Sequence, residues 1–390
     1  MIKNVDSYIM QTYGERNLEF VSGKGAYLFS ENNKKYLDFG SGIAVNSLGH
    51  CHPVLVEKIN EQSKKLWHTS NLYYNKNQEE YAEVLCKNSF AEKVFFTNSG
   101  AESIECGLKI IRNYHHNNKT NKINVISFEG AFHGRTFATL SAQQNKKFSH
   151  SFEPMLSGFK QVPFNNIDSL NREIKEDTAA IMIETIQGEG GVRPTPLNFL
   201  EKIKNICIKN NVLLFLDEVQ SGFGRSGKLF AYQWSNIEPD IMAVAKGIGS
   251  GFPMGACLAS NKCSSGMIKG THGSTFGGNH LAIAIGKAVI GEILKKGFLE
   301  KVNVVSQILW NELQLIKKDF DEILEVRGAG LLLGIKTKSN NIEIKKLLES
   351  RGLLTLTAED NMIRLAPPLI INEEDVKKAI EIIRETLKYV

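Results

Sequence analysis

Residues 212–220 read VLLFLDEVQ. Five apolar residues, Val212 to Leu216, run without alternation and end on two carboxylates, Asp217 and Glu218. An unbroken apolar run of this length predicts a strand buried on both faces, the kind found in parallel sheets covered by helices. Working outward, similar runs recur at 94–97 (VFFT), 123–128 (INVISF), 179–184 (AAIMIE) and 240–245 (DIMAVA). Helical spacing of apolar residues fills 101–115, 197–210 and 279–295 between them. Strands alternating with helices predict an α/β layer with a mostly parallel sheet.

The flanks have a different character. Residues 16–40 read as short strands with turns at Gly23-Lys24-Gly25 and Asn32-Asn33. Pro53 can open a helix, with Leu55, Ile59 and Leu66 at helical spacing. Beyond 290 the pattern is helix 299–318, strand 331–336, helix 342–350 and helix 373–388, a smaller α+β unit. Asn372 is placed to cap the last helix, whose apolar stripe is Val376, Ile380, Ile383 and Leu387.

Composition excludes several function classes. Of 390 residues, 42% are hydrophobic and 23% charged, as in a folded globular chain. The net charge of +5 is too small over this length to imply nucleic acid or an anionic membrane as partner. No apolar run reaches the roughly 18 residues a membrane span requires. The first residues lack the apolar core of a signal peptide, and Asp6 and Glu15 are foreign to a transit peptide. Six dispersed cysteines without a CxxC read as buried thiols in a reducing, cytoplasmic setting. Only ten of the 47 basic residues are arginines, which draws attention to each fork-shaped guanidinium.

Ligands of such sheets bind at the carboxyl ends of the strands. Asn98-Ser99-Gly100-Ala101 follows the first run and opens a helix, which gives either an anion site or a plain capped helix. Phe132-His133-Gly134-Arg135 follows the second, as a ligand-facing cluster or a solvent loop. Gln187-Gly188-Glu189-Gly190-Gly191 follows the third, where glycines around a carboxylate permit close backbone approach or simply make a turn. Asp217 needs a cationic or hydrogen-bonding partner if buried. Lys246 stands at the mouth of the fifth run, as a desolvated amine suited to a Schiff base or as one half of a salt bridge. Gly222–Gly227 matches GxGxxG, but no helix follows and no acidic residue sits at the expected distance, so a dinucleotide site is not expected. His50-Cys51-His52 lacks a second ligand pair, so no metal is expected. An imine-forming lysine, a carboxylate, a phosphate-binding helix start and an aromatic face together describe a pyridoxal phosphate pocket.

These stretches also carry a family resemblance. GHCHP at 49–53, TNSGAE at 97–102, FHGRT at 132–136, QGEGGV at 187–192, LDEVQSGFGRSG at 216–227, AKGIGSGFPMGA at 245–256, HGSTFGGN at 272–279 and IRLAPPL at 363–369 resemble the class III (ω-amino) pyridoxal-phosphate aminotransferases. The resemblance implies fold type I: a large domain with a mostly parallel seven-stranded sheet over 56–290, and a small α+β domain built from segment 1–55 and residues 291–390. It implies that Lys246 carries pyridoxal 5'-phosphate and that Asp217 pairs with its ring nitrogen. Gln220 would reach its phenolic oxygen, Phe132 its ring face, and Ser99, Gly100 and Ala101 its phosphate. Glu218 and Val219 would flank the cofactor, and Thr275 would reach the phosphate from the other subunit of a homodimer. Arg135, Ser274, Glu189 and Arg364 would face substrate, the last two as a switch between ω-amine and glutamate. The implied donor is the δ-amine of N2-acetyl-L-ornithine and the acceptor 2-oxoglutarate, in arginine biosynthesis. Ornithine, succinyl-diaminopimelate and 4-aminobutyrate are the alternative donors, and an aminomutase is the alternative activity. Ser221, Ser226, Ser250 and His280 depart from common family residues without removing a chemical group.

Overall fold

The computed structural model describes residues 8–14 and 16–390; Asp6, Glu15 and the rest of 1–7 lie outside the described residues. A seven-stranded sheet runs in the order Lys93–Thr97, Gly255–Ala259, Ile241–Val244, Leu213–Asp217, Thr178–Glu184, Asn124–Phe128, Phe159–Val162. Gly255–Ala259 pairs antiparallel to both of its neighbours, and all other pairings are parallel. Every residue of Leu213–Asp217 and of Thr178–Glu184 is buried. The period of two sorts them between two cores. Leu214 and Leu216 join Phe199, Leu200 and Ile203 of helix Leu197–Asn210 on one face. Leu213 and Phe215 join Ile104, Leu108 and Ile111 of helix Gly100–Asn117 on the other. That second contact is so close that a Cβ on Gly107 would overlap the Phe215 ring. A mid-helix glycine, costly in itself, is what lets the helix lie on the sheet.

Two strands of the seven-stranded sheet are not anticipated by the sequence pattern. Phe159–Val162 is a half-exposed edge strand that carries Lys160 and Gln161, and Gly255–Ala259 is built mostly from small residues. Neither shows the branched apolar run that marks a central parallel strand. The helix at Pro53 is present, but it ends at Ser63, and Leu66 is exposed beyond it.

Strands Phe20–Lys24, Tyr27–Ser30 and Lys35–Asp38 form an antiparallel set, and Leu353–Leu354 adds to Lys35–Asp38 in parallel. A further antiparallel sheet orders Ile323–Ala329, Leu332–Thr337, Met362–Leu365 and Leu356–Ala358. Helices Phe298–Asp319 and Glu373–Leu387 pack here, and Leu309, Leu313, Ile380 and Ile383 share a core with Leu37 and Phe39 from the N-terminal strands. Asn372 caps the last helix reciprocally: its side chain accepts the Asp375 N–H, and Asp375 accepts the Asn372 N–H.

Candidate active site

The carboxyl ends of the parallel strands converge on a cavity of about 390 Å³. The ends of five strands supply groups to it. Strand Lys93–Thr97 leads into Ser99, whose Oγ accepts the Glu102 N–H at 3.3 Å and caps helix Gly100–Asn117. The N–H groups of Gly100 and Ala101 then open the helix on the cavity wall, where the first-turn donors have no carbonyl partner and the helix dipole favours an anion. A Cβ at Gly100 would press on Val219, so glycine is what lets these two walls close together.

Strand Leu213–Asp217 delivers Asp217, which is buried and lines the cavity. Its Oδ1 accepts the Val219 N–H at 3.0 Å, and its Oδ2 lies 2.8 Å from His133 Nδ1. His133 is itself buried and fixed by its backbone N–H to Gln143 Oε1 at 3.0 Å. Strand Thr178–Glu184 ends on Glu184, level with Asp217 in the parallel register. Burial and then the Asp217 charge push the Glu184 carboxyl well above the usual carboxylate range. Its Oε1 accepts the Phe132 N–H at 2.9 Å and its Oε2 the Gly188 N–H at 3.4 Å.

Lys246 follows strand Ile241–Val244 and lies in the left-handed region at φ 49°. A non-glycine residue there carries strain of order 1–3 kcal/mol, held only because the surroundings enforce it. Among the described residues its ammonium has no hydrogen bond or ion pair, and desolvation holds its pKa below the usual lysine range. Arg364 adds to that lowering, while Glu189, Asp217 and Glu184 oppose it. The salt-bridge alternative therefore has no partner among the described residues, and burial disfavours the charged form of the amine.

A second array lies beside this one. Arg364 is buried on strand Met362–Leu365, and its Nη1 donates to Glu189 Oε1 at 2.6 Å and to Gln220 Oε1 at 3.0 Å. Among the described residues its Nε has no partner. Glu189 and Gln220 line the cavity and Arg364 sits one layer behind them. A Cβ on Gly188 would collide with the Gln220 carboxamide, which accounts for that glycine.

The cavity wall thus gathers Ser99, Gly100, Ala101, Phe132, Asp217, Val219, Gln220, Lys246 and Glu189 from the sequence-derived set. Five others are not on it: Arg364 lies one layer behind, and the remaining four lie elsewhere. The Glu218 side chain turns away and accepts the N–H groups of Ala231 at 2.6 Å and Tyr232 at 2.7 Å, and burial raises its pKa to about 7. Arg135 is exposed, its guanidinium 3.9 Å from the centre of the Phe148 ring. Ser274 accepts the Gly277 N–H at 2.9 Å, and Thr275 is exposed in a separate shallow hollow with Asn75 and His280. The sequence places His133 in a candidate ligand-facing cluster without a role, which its bond to Asp217 now supplies, and it does not mark Glu184 as a site residue. The signal for Glu184 was available: it terminates a wholly apolar run just as Asp217 does.

The family model described as aminotransferase class-III matches residues 9–387. The acetylornithine aminotransferase of Agrobacterium fabrum is 48% identical over 374 residues, 95% of this chain and 94% of that protein. Among solved structures, N-acetylornithine aminotransferase from Stenotrophomonas maltophilia superposes with a TM-score of 0.85 at 34% identity, covering 96% of both chains. The ornithine aminotransferase of Toxoplasma gondii, described with pyridoxal phosphate at partial occupancy in its active site, superposes with a TM-score of 0.93 at 28% identity, covering 98% of this chain and 92% of that one.

Proposed function

The chain belongs to the class-III aminotransferases, and from that premise we propose that it moves the δ-amino group of N2-acetyl-L-ornithine to 2-oxoglutarate, giving N-acetyl-L-glutamate 5-semialdehyde and L-glutamate. Pyridoxal 5'-phosphate is the family's cofactor, and the site fits it: unpaired helix-start N–H groups suit the phosphate, Asp217 suits a ring nitrogen, Phe132 suits a ring face, and the unpartnered Lys246 amine suits the aldehyde. When bound, the cofactor supplies an electron sink for the charge that develops on the amine-bearing carbon.

Asp217 holds a proton on the ring nitrogen. A neighbouring carboxylate raises the pKa of such a cation by about one to three units, worth ~1.4–4 kcal/mol. His133, 2.8 Å away, and the Val219 N–H fix where that carboxylate points. Lys246 would be the base that takes the proton from the substrate carbon and gives it back within the same site. Desolvation, the main cause, lowers its pKa and so favours the neutral form that such a role requires.

The substrate reading rests on one observation above all: Arg364 is a buried guanidinium whose counterion, Glu189, sits on a glycine-rich loop and is partly exposed. The acylated diamine brings its ω-amine to the reacting position without an α-carboxylate beside it, so Glu189 stays on Arg364. Glutamate brings an α-carboxylate to the same place, and Arg364 binds it when Glu189 withdraws. Arg135, at the exposed end of the Phe132 loop, would take the far carboxylate of either substrate. The 48% identity to an acetylornithine enzyme, against 28% to an ornithine enzyme, supports the acylated donor.

Assembly as a homodimer completes the reading. Thr275 is exposed and off its own cavity, and the nearby surface carries Trp67, Leu72, Tyr73, Tyr74 and Phe276, each more than half exposed. An apolar surface of this kind suits a second copy of the chain, which would bring Thr275 to the partner's phosphate. All six cysteines are free, in keeping with a cytoplasmic setting. Ranking a panel of amino donors by kcat/KM with 2-oxoglutarate tests the proposal; a preference for ornithine or 4-aminobutyrate over N2-acetylornithine would overturn it.

A further inference from the structure

We propose that Glu184 is a positioning residue that ties the loop covering the cofactor's ring to the loop carrying the substrate switch, so that one carboxyl sets both. The inference rests on the reading of Glu189 and Arg364 given above. Four observations carry it. The two oxygens of Glu184 are divided between the loops: Oε1 takes the N–H of Phe132, the ring-facing residue, and Oε2 takes the N–H of Gly188, next to Glu189. The loops are also joined directly, by Gln187 Nε2 donating to the Glu129 carbonyl at 3.0 Å. They touch backbone to backbone as well, for a Cβ at Gly190 would overlap the Gly130 carbonyl. Finally, Glu184 is itself held from behind, because Thr195 Oγ1 donates to its carbonyl at 2.8 Å. Glu184 needs no contact with substrate to act: it fixes the distance between the Phe132 backbone and the Glu189 loop.

An ionised carboxyl accepts on both oxygens, whereas a carboxamide accepts on one and turns an NH2 toward the other donor. Glu184→Gln therefore keeps the shorter bond to Phe132 and loses the longer one to Gly188, while Glu184→Ala loses both. Two readouts separate the loops. The circular dichroism of the cofactor's visible band in the holoenzyme reports the ring face. The ratio of kcat/KM for glutamate to that for the ω-amine, measured in separate half-reactions, reports the switch. The expected result for Glu184→Gln is a near-normal dichroic band and a ratio shifted about tenfold toward glutamate, as Glu189 is held less firmly on Arg364. Glu184→Ala shifts the ratio similarly and also weakens the band. If Glu184→Ala does not fold, Glu184→Asp, too short to reach both donors, replaces it with the same expectation. In a Glu189→Ala background, Glu184→Gln should leave the ratio unmoved. Equal loss in both half-reactions from a folded Glu184→Gln holoenzyme, or a ratio shift that persists undiminished in Glu189→Ala, overturns the proposal. The unsubstituted enzyme run alongside judges the substrate reading separately, and the dichroic arm does not depend on the donor's identity.

Discussion

Asp217→Asn isolates the charge of one residue with little disturbance of its surroundings. Asn keeps an oxygen for the Val219 N–H, and its NH2 can face His133 Nδ1 if the imidazole takes the other tautomer. The structural cost is then one rearranged hydrogen bond, about 1 kcal/mol. The chemical cost is the loss of the carboxylate that keeps the ring nitrogen protonated, ~1.4–4 kcal/mol, or about 10- to 1000-fold in rate. The assay is single-turnover reaction of the holoenzyme with N2-acetylornithine, followed by the cofactor's visible band, beside urea unfolding of the same preparation. The expected outcome is a rate lowered by about 10- to 1000-fold with stability within about 1 kcal/mol of the parent. A variant that reacts within threefold of the parent rate would refute the role of Asp217. One that loses several kcal/mol of stability would show that the loss of rate is not electrostatic.

Lys246→Ala should bind the cofactor through the helix start and ring contacts yet lose transamination, as equilibrium dialysis and turnover will show; near-normal turnover removes Lys246 from the mechanism. Gly107→Ala, pressed against Phe215, should cost about 1–3 kcal/mol in chemical unfolding, and adding Phe215→Leu should recover part of it; a neutral Gly107→Ala contradicts the packing. Glu218 titrates near 7 in the fold against about 4.5 unfolded, so its contribution is fully present below 4.5 and is lost as pH rises through about 7. Glu218→Gln should therefore flatten the fall in stability across that interval, by up to about 3 kcal/mol, in urea unfolding of the cofactor-free protein; an unchanged slope counts against it. Inactive Lys246→Ala chains mixed with chains inactivated at Thr275 should regain activity if subunits share sites, and no recovery from a mixture proven to exchange subunits excludes that sharing.

The parts of this molecule that could be read from sequence are those where one physical demand dominates. Leu213–Asp217 and Thr178–Glu184 are buried on both faces, so nothing polar interrupts them before the strand end, and both announce themselves. Phe159–Val162 lies at the sheet edge and must satisfy solvent as well as a neighbour, so its composition is mixed and silent. Gly255–Ala259 is crowded by Thr97, Ser99 and Ser103 around Gly255, which favours small residues over the branched ones that signal a strand. In the site, Asp217 and Lys246 were legible because a charge at the end of an apolar run has to be explained. Glu184 meets the same criterion, yet a carboxylate ahead of a loop also reads as ordinary punctuation. Glu218 shows the converse. Adjacent to Asp217 in sequence, it points to the other side of the chain and secures the turn at Ala231 and Tyr232, an arrangement that only the fold discloses.

The pairing of Leu37 with Leu353 joins segments more than three hundred residues apart. On a ribosome adding about 5–20 residues per second, the strands Phe20–Asp38 leave the tunnel roughly 15–60 s before the segment that completes them. The large sheet can assemble in that interval, because its strands all lie between residues 93 and 259. The early strands cannot, and they wait with an open edge that another nascent chain could occupy. Lys34 and Lys35, the second of which opens the waiting strand, supply the charge that discourages such capture.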